Sequence, residues 1–275
     1  MTNAHHIRPQ TGPVLIDVRP ETAGWRYLSF RVVSLAAGER YAGDTAQTEM
    51  ALVPLRGQAE VTAGGRTFAL ARRDMFVEKP QVLYAPPGTE WGVTAVTDFE
   101  FAYGAAPAGG KYPLRLFQPA EMKVEVRGEG AARRQVNHIL AYPLPAERLI
   151  LFEVYVPGGR WSGWPPHCHD GYAGSPYLEE VYYYRITPES GFAIHRNYRR
   201  DTDFDENFAV RDGDLVLVTQ GFHPVAAAPG SRVYFLNYLA GDLLDEARGT
   251  PPYDDPDWGF MKEDWGFNGW ELPLH

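Results

Sequence analysis

Cysteine is almost absent from this chain of 275 residues: only Cys168 occurs, so no disulfide can form within it. Long apolar runs are also missing, and none approaches the roughly 18 residues of a membrane-spanning helix. No basic cluster occurs, and the formal net charge is −9 with an isoelectric point near 5.4. Because such an acidic chain suits neither nucleic acid nor anionic membranes, we expect it to bind neither. The first ten residues lack the apolar core of a signal peptide, and we expect a cytoplasmic protein.

A helical period of useful length is missing as well. Aromatic residues make up 13% of the chain, with 28 Gly and 23 Pro. Aromatic residues favour strands, whereas Gly and Pro favour turns. Short strand patterns recur at intervals typical of a β-sandwich or barrel, which predicts an all-β fold. The main predicted strands are residues 27–35, 49–55, 57–63, 66–70, 82–85, 90–96, 98–103, 135–141, 149–156, 181–186, 192–198, 208–210, 215–218, 225–228 and 232–239.

These strands fall into two sets of similar plan. We therefore predict an N-terminal barrel over residues 1–130 and a C-terminal barrel with a wrapping tail over residues 131–275. We interpret residues 199–207 as a surface loop and residues 243–248 as a short helical turn. Histidine is missing between residues 7 and 137. If the chain is a duplicated barrel, only its C-terminal copy therefore has the residues for a histidine metal site.

The stretch from residue 161 to residue 186 carries the strongest chemical signal. His167 and His169 lie two residues apart, so a strand would direct both imidazoles to the same side. Glu179 or Glu180, at the start of the next strand, can supply a carboxylate, and His223 is a fourth candidate. Imidazole and carboxylate together suit a divalent transition metal. Between the two histidines, Cys168 would face the opposite side, and we interpret it as a packing residue.

The order of these residues resembles a known family. H-x-H, a Glu that opens a strand, and later G-D-x-x-x-x-x-x-G-x-H resemble the two cupin motifs. The longer blocks W-S-G-W-P-P-H-C-H-D, L-E-E-V-Y-Y-Y-R-I-T-P-E-S-G-F and V-R-D-G-D-L-V-L-V-T-Q-G-F-H-P-V resemble the 5-deoxy-glucuronate isomerase family of bacterial myo-inositol catabolism. That family is similar to the 5-keto-4-deoxyuronate isomerases of pectin breakdown.

The resemblance implies a bicupin: two antiparallel β-barrels, or double-stranded β-helices, with a metal site in the C-terminal barrel only. The implied metal ligands are His167, His169, Glu180 and His223. Glu180 is preferred to Glu179 because the family's ligand directly precedes Val-Tyr. The chain has Thr219 where cupins in general have Pro, and an insert at residues 171–177. The isomerase family accommodates the insert and shares the short G-aromatic-H-P form.

The implied reaction is an aldose–ketose isomerisation that converts 5-deoxy-D-glucuronate to 5-dehydro-2-deoxy-D-gluconate. The enzyme would be an intramolecular oxidoreductase assisted by Zn, Mn, Fe, Co or Ni. Such chemistry also needs a general acid or base. The candidates are Tyr182, Tyr184, Glu179 and His195, although both tyrosines and His195 would also suit barrel packing.

The carboxylate of a sugar acid calls for a cation, and Arg185, Arg196 or Arg160 could supply one. Two other classes of function remain open at this point. One is another cupin metalloenzyme, such as a uronate isomerase of pectin breakdown or an Fe(II) dioxygenase. The other is a sugar-binding cupin without catalysis. Barrel edges and an aromatic tail further suggest a homo-oligomer.

Overall fold

The computed structural model describes residues 4–265, and β-strands dominate it, as predicted. The strands of the first half of the chain are β1 (His6–Ile7), β2 (Val14–Val18), β3 (Ser29–Leu35), β4 (Arg40–Asp44), β5 (Thr48–Ala63), β6 (Arg66–Arg72), β7 (Val82–Ala85), β8 (Glu90–Ala95), β9 (Phe99–Pro107) and β10 (Arg115–Phe117). Those of the second half are β11 (Lys123–Arg127), β12 (Arg134–Leu140), β13 (Ile150–Pro157), β14 (Trp161–Ser162), β15 (His167–Cys168), β16 (Leu178–Thr187), β17 (Ala193–Tyr198), β18 (Asp205–Val210), β19 (Leu215–Val218), β20 (Val225–Ala227), β21 (Arg232–Gly241) and β22 (Tyr253–Asp254).

Helical segments are short and lie in the connections. The single α-helix among the described residues is α1 (Pro20–Ala23), and the 3-10 helices are Pro119–Glu121, Gly130–Ala132, Tyr172–Gly174, Asp245–Gly249 and Pro256–Lys262. The helical turn predicted at residues 243–248 corresponds to the 3-10 helix Asp245–Gly249.

The strands form two large antiparallel sheets. The N-terminal sheet has nine strands, with β10-β7-β5-β9-β3-β2 as its main order; β6 and β8 also pair with β5, and β4 pairs with β8. The C-terminal sheet has seven strands in the order β1-β19-β16-β21-β13-β12-β11. A four-stranded sheet, β14-β20-β17-β18, and the pair β15-β22 complete the second half.

One outer strand of the C-terminal sheet comes from the start of the chain. The first strand, β1, pairs with β19 of the C-terminal sheet, whereas β10 pairs with β7 of the N-terminal sheet. Strand β11 already belongs to the C-terminal sheet. The change from one sheet to the other thus lies between β10 and β11. The division into barrels of residues 1–130 and 131–275 stays a prediction.

Alternate side chains of one strand enter two different cores. Val181 and Tyr183 of β16 join a large apolar cluster that also contains Ala51 and Val53 of β5, so this cluster packs the two large sheets together. Tyr182 of the same strand points the other way, into a cluster shared with residues of the four-stranded sheet. Because β16 is buried on both faces, its stretch from residue 181 to residue 184 is continuously apolar or aromatic.

Most of the predicted strands are confirmed, with shifted ends. The strands predicted at 49–55 and 57–63 form a single strand, β5, whose pairing register shifts between Pro54 and Arg56. The polar loop predicted at 199–207 is wrong at its end, because β18 already begins at Asp205. Strands β2 and β4 were not predicted; β4 lacks buried residues to mark its pattern.

Candidate metal centre

Three neighbouring elements bring the candidate ligands together. His167 lies in β15, which pairs with β22 so that His167 is opposite Asp254. His169 follows directly, and its carbonyl accepts a hydrogen bond from the backbone N–H of Leu178, at the start of β16. Glu180 is the third residue of β16. His223 ends the loop between β19 and β20.

His169, Glu180 and His223 form a compact group that could hold a metal ion. One potential ligand atom from each residue lies within 4.8 Å of the other two, and all three side chains are buried. His169 Nε2 is 2.8 Å from Glu180 Oε2, and His223 Nε2 is 3.4 Å from the same oxygen. Within residues 4–265 no other group of three such residues meets this geometry.

The hydrogen bonds on the far side of each imidazole leave Nε2 free for a metal. His169 Nδ1 lies 3.0 Å from the carbonyl oxygen of Leu178, and His223 Nδ1 lies 3.0 Å from that of Gly221. A carbonyl only accepts, so Nδ1 carries the proton in both rings. His223 Nε2 is buried without a hydrogen-bond partner. A buried, unpartnered nitrogen that points at a carboxylate fits a metal ligand.

Burial opposes charge on all three residues of this group, but at His169 the hydrogen bond to Glu180 outweighs burial and raises the pKa. At His223 burial lowers the pKa well below the usual range, and the neighbouring rings of His167 and His169 add to this effect. Burial also raises the pKa of Glu180, since it penalises the carboxylate. A neutral imidazole presents a lone pair, which is the form that binds a metal.

The loop that carries His223 is fixed by Asp170. The Asp170 carboxylate accepts hydrogen bonds from the backbone N–H of Gly221, at 2.8 Å, and from Arg199, at 2.7 Å. Gly221 has φ +80°, and a Cβ there would lie 2.2 Å from the carbonyl oxygen of Tyr198. Only glycine fits this position. The G-aromatic-H-P form is therefore required by the backbone that positions His223.

His167 lies beside the compact group and faces a cavity. Its ring centroid is 4.7 Å from that of His223 and 6.3 Å from that of His169. Burial, together with His169 and two more distant arginines, lowers its pKa to about 3. His167 and His169 both line a cavity of about 720 Å³, large enough for a small sugar acid. The role of His167 as a fourth ligand stays a proposal.

The two adjacent glutamates of β16 point to opposite sides. Glu180 faces the histidines, whereas Glu179 faces the other half of the chain. The Glu179 carboxylate accepts hydrogen bonds from three consecutive backbone N–H groups, those of residues 26–28, at 2.7–2.9 Å. These contacts give Glu179 a role in joining the two halves. They place its carboxylate away from the cavity.

The other predicted acid–base residues lie in the barrel interior. The ring centroid of Tyr182 is 5.9 Å from that of His223 and 4.9 Å from that of His195. The Tyr184 hydroxyl lies 2.6 Å from His195 Nδ1, and His195 Nε2 lies 2.9 Å from Asn197 Oδ1. Tyr184, His195 and Asn197 thus form a buried hydrogen-bonded chain beneath the metal group. Neither these three residues nor Tyr182 lines the cavity.

The arginines predicted to bind the substrate are elsewhere. Arg185 pairs with Glu100 at 2.6 Å and with Asp212 at 2.9 Å, next to the contact between the sheets. Arg196 forms a two-bonded pair with Asp205 on the four-stranded sheet. Arg160 donates a hydrogen bond to the carbonyl of Gly130. The structure brings none of these three to the cavity.

Sequence reasoning missed several polar residues that do line the cavity. Four of them lie on the hairpin of β11 and β12, namely Glu125, Arg127, Arg134 and His138. His138 Nε2 is 2.7 Å from Glu125 Oε2, and Arg127 also donates a hydrogen bond to this carboxylate, at 3.1 Å.

No distinct sequence signal marks this hairpin. Strand β11 reads K-V-E-V-R, which is the ordinary alternation of a strand with one polar face. Its residues Glu125, Val126 and Arg127 line the cavity because β11 and β12 are neighbours at the end of the C-terminal sheet, which the sequence does not report.

Cys168 is a packing residue in the structure. Its side chain is fully buried with Tyr198 and Phe222, on the opposite side from the histidines. Burial raises the pKa of the thiol to about 12, so the thiolate is not available at neutral pH.

Comparison with known proteins establishes the family. A sequence profile of the KduI/IolB family matches residues 3–261. The chain belongs to the KduI/IolB family. It is 41% identical to a 5-deoxy-glucuronate isomerase of Geobacillus thermodenitrificans, over 83% of this chain and 85% of that protein. It is 39% identical to a 5-deoxy-glucuronate isomerase of Geobacillus kaustophilus, over 90% of this chain and 91% of the relative.

Solved structures agree on the fold. An IolB-like protein from Salmonella typhimurium superposes with a TM-score of 0.89 and 36% identity, over 94% of this chain and 98% of that one. An oxalate decarboxylase from Lactobacillus farciminis superposes with a TM-score of 0.63 at 12% identity, over 89% and 88% of the two chains, which shows a shared fold alone. Within residues 4–265, no helix has the length and apolar character needed to span a membrane.

Proposed function

We propose that this protein is a metal-dependent isomerase that converts 5-deoxy-D-glucuronate to 5-dehydro-2-deoxy-D-gluconate. Relatives at 39–41% identity over most of the chain are named 5-deoxy-glucuronate isomerases. The structural observation that carries the proposal is the unpartnered Nε2 of His223, which is buried beside Glu180 and His169, while His169 lines a cavity of sugar-acid size. The proposed metal ligands are these three residues and His167.

The donor set defines what a metal would do there. Three imidazoles and one carboxylate suit Zn, Mn, Fe, Co or Ni, and leave room for two substrate oxygens. When bound, such a metal polarises the carbonyl and the neighbouring hydroxyl of an aldose. The carbonyls of Leu178 and Gly221 fix the orientation of the His169 and His223 rings, and burial keeps His223 unprotonated.

The isomerisation moves one hydrogen from C2 to C1 and one proton from the C2 hydroxyl to the C1 oxygen, so substrate and product have the same atoms. His138 is our candidate for the general base that moves the carbon-bound proton. The Glu125 carboxylate accepts a hydrogen bond from Nε2 of His138, which leaves Nδ1 as the basic nitrogen. Burial lowers the pKa of His138, so the ring is neutral and can accept a proton at neutral pH.

Tyr182 is our candidate for the residue that transfers the proton between the C2 hydroxyl and the C1 oxygen. Cross-strand pairing places Tyr182 opposite Asn237, Asn237 opposite Phe152, and Phe152 opposite His138. Paired residues point to the same face of a sheet, so Tyr182 and His138 belong to one row of side chains. This is also the face of Glu180, two residues before Tyr182 on β16.

The test combines metal analysis with an isomerase assay. We expect purified protein to contain about one divalent metal per chain and to convert 5-deoxy-D-glucuronate to the ketose, with activity lost on chelation and restored by metal. His223→Ala should lose both metal and activity. His138→Gln should keep the metal and lower kcat by about 100-fold, the usual contribution of a general base.

Cys168→Ala is the matched control, because Cys168 lies between two proposed ligands but faces away from them. It should retain metal and activity. Protein that consumes oxygen and leaves 5-deoxy-D-glucuronate unchanged would contradict the isomerase proposal. Full metal content in His223→Ala would contradict the proposed ligand set.

A further inference from the structure

Arg134 is a guanidinium without a carboxylate partner at the edge of the metal cavity. Its Nη1 donates to the backbone carbonyls of Ala132 and Trp164, each at 3.1 Å. Its Nε is buried and has no hydrogen-bond partner. Among residues 4–265, no acidic side chain forms an ion pair with it. Removing a cation from water without a compensating anion is costly, and a bound anion at the cavity edge would offset this cost.

The other cations that line the cavity are already engaged. Arg127 pairs with Glu125, and Lys262 pairs with Asp254. The guanidinium of Arg248 donates to three backbone carbonyls. Arg134 is thus the one lining cation, in the described part of the chain, whose Nη2 makes no hydrogen bond and whose charge is unpaired.

Strand pairing directs Arg134 to the cavity side of the sheet. It is opposite Arg127 in the β11–β12 hairpin and four residues before His138 on the same strand. Residues four apart on a strand share a face. Burial, with a smaller contribution from Arg127, lowers the pKa of Arg134 to about 10, so the side chain still carries its charge at neutral pH.

Arg134 also contacts the segment that carries the first metal ligand. Its hydrogen bond to the carbonyl of Trp164 holds that segment three residues before His167. A guanidinium presents two parallel N–H groups to a carboxylate. A carboxylate bound at Arg134 would therefore lie at a fixed place relative to His167 and His169, which line the same cavity.

We propose that Arg134, with Arg127 beside it, forms the subsite that binds the carboxylate of the sugar acid while the aldose end faces His167, His169, Glu180 and His223. This inference rests on the proposed isomerase function, and it assigns the specificity for an acid over a neutral sugar to two residues. Arg134 is the principal ligand, because Arg127 already pairs with Glu125.

The experiment compares 5-deoxy-D-glucuronate with its primary amide, which keeps the aldose end but lacks the charge. Wild-type protein should prefer the acid by about 100-fold in kcat/KM, as expected for a buried charge pair. Arg134→Gln should raise KM for the acid by about 30- to 100-fold and leave the amide almost unchanged. Arg134→Lys, which keeps the charge but loses the fork, should raise KM by about 10-fold. The exposed neighbour Arg133 supplies the control variant, Arg133→Gln, which should behave as wild type.

A binding measurement separates this inference from the proposed function. The sugar acid with C1 reduced to an alcohol cannot isomerise, and its affinity is measured by calorimetry on metal-loaded protein, with metal content and unfolding midpoint checked for each variant. Weaker binding to Arg134→Gln and Arg134→Lys, but not to Arg133→Gln, supports the subsite even if the wild type isomerises nothing. Equal binding by wild type and both Arg134 variants overturns the subsite, even if the isomerase proposal stands.

Discussion

Strands β5 and β16 share a feature at their start and differ at the next position. In each, the second residue is a buried glutamate: Glu49 in β5 and Glu179 in β16. The Glu49 carboxylate accepts hydrogen bonds from the three backbone N–H groups of residues 147–149, at 2.6–2.8 Å. Glu179 does the same for residues 26–28. Each carboxylate thus binds the backbone that leads into a strand of the other half.

The next residue separates a structural strand from a functional one. Met50 follows Glu49 and is buried in an apolar cluster with Leu52 and Tyr103. Glu180 follows Glu179 and meets two imidazoles. Because neighbouring residues on a strand face opposite sides, the first glutamate can join the halves while the second position fills a barrel. The same backbone arrangement therefore supports a packed core in one half and a candidate metal group in the other.

The largest expected effect comes from removing the carboxylate that distinguishes the two strands. Glu180→Gln should lower both metal affinity and isomerase activity by more than about 1000-fold, because the amide cannot supply an anionic ligand. Metal analysis and initial rates measure this. Met50→Gln, at the matching position, should leave the metal content unchanged. A metal-replete Glu180→Gln protein would mean that Glu180 is not a ligand.

Introducing a carboxylate at the matching position of β5 tests whether the N-terminal core tolerates it. Met50→Glu places a carboxylate in an apolar core without histidines and should lower the free energy of unfolding by about 3–4 kcal/mol at pH 7. Burial would raise the pKa of this new carboxyl group, so the loss should shrink as the pH falls towards 5. Urea unfolding at both pH values measures it. A stable variant that binds a second metal would show that the N-terminal half needs only one residue to become a metal site.

The shared glutamates should give smaller, matched effects. In Glu49→Gln and in Glu179→Gln, an amide takes the place of a carboxylate that accepts hydrogen bonds from three backbone N–H groups. The amide has only one oxygen acceptor, and its nitrogen is a donor. We expect each to lower the free energy of unfolding by about 2 kcal/mol. Metal content should not change in either. If Glu179→Gln lost activity at unchanged stability while Glu49→Gln did not, Glu179 would take part in catalysis.

The smallest effect concerns the pH dependence contributed by the β11–β12 hairpin. Burial opposes the charge of Glu125, but hydrogen bonds from Arg127 and His138 outweigh it and lower its pKa to about 2. A lowered pKa stabilises the fold above the unfolded-state value of about 4.5, and this stabilisation is lost as the pH falls towards 2. Glu125→Gln should therefore make unfolding less sensitive to acid between pH 5 and 2.5.

The exposed residue Glu60 of β5 provides the control for this measurement. Glu60→Gln should leave the acid dependence of unfolding as in the wild type. Identical acid profiles for Glu125→Gln and the wild type would contradict the lowered pKa of Glu125.

The local sequence pattern was sufficient to predict most of the strands. Strand ends and turns follow from aromatic and β-branched runs between Gly and Pro, and these are properties of neighbouring residues. The spacing of His167 and His169, the Glu-Glu pair and the later His223 indicated a metal site before any contact was known. Because Glu179 and Glu180 are adjacent on one strand, their carboxylates occupy opposite faces. The family resemblance pointed to Glu180, which the structure places beside the histidines.

The partners of the long polar side chains were decided by tertiary structure. Arg185 and Arg196 lie close in sequence to the metal ligands, yet they pair with carboxylates away from the cavity. Arg134 and His138 lie some 30 residues earlier and reach the cavity because β11 and β12 form the edge of the same curled sheet. Such contacts depend on which strands are neighbours in space, and sequence distance does not report this.

What the sequence by itself determined is the chemistry available: three imidazoles and a carboxylate at spacings that strands can gather, in an acidic, almost cysteine-free β-protein. What only the tertiary structure decided is which of two adjacent glutamates meets the histidines and which cation is left without a partner. The reason is physical, since local conformation follows from neighbouring residues, whereas burial and pairing follow from the packing of strands that are distant in the chain.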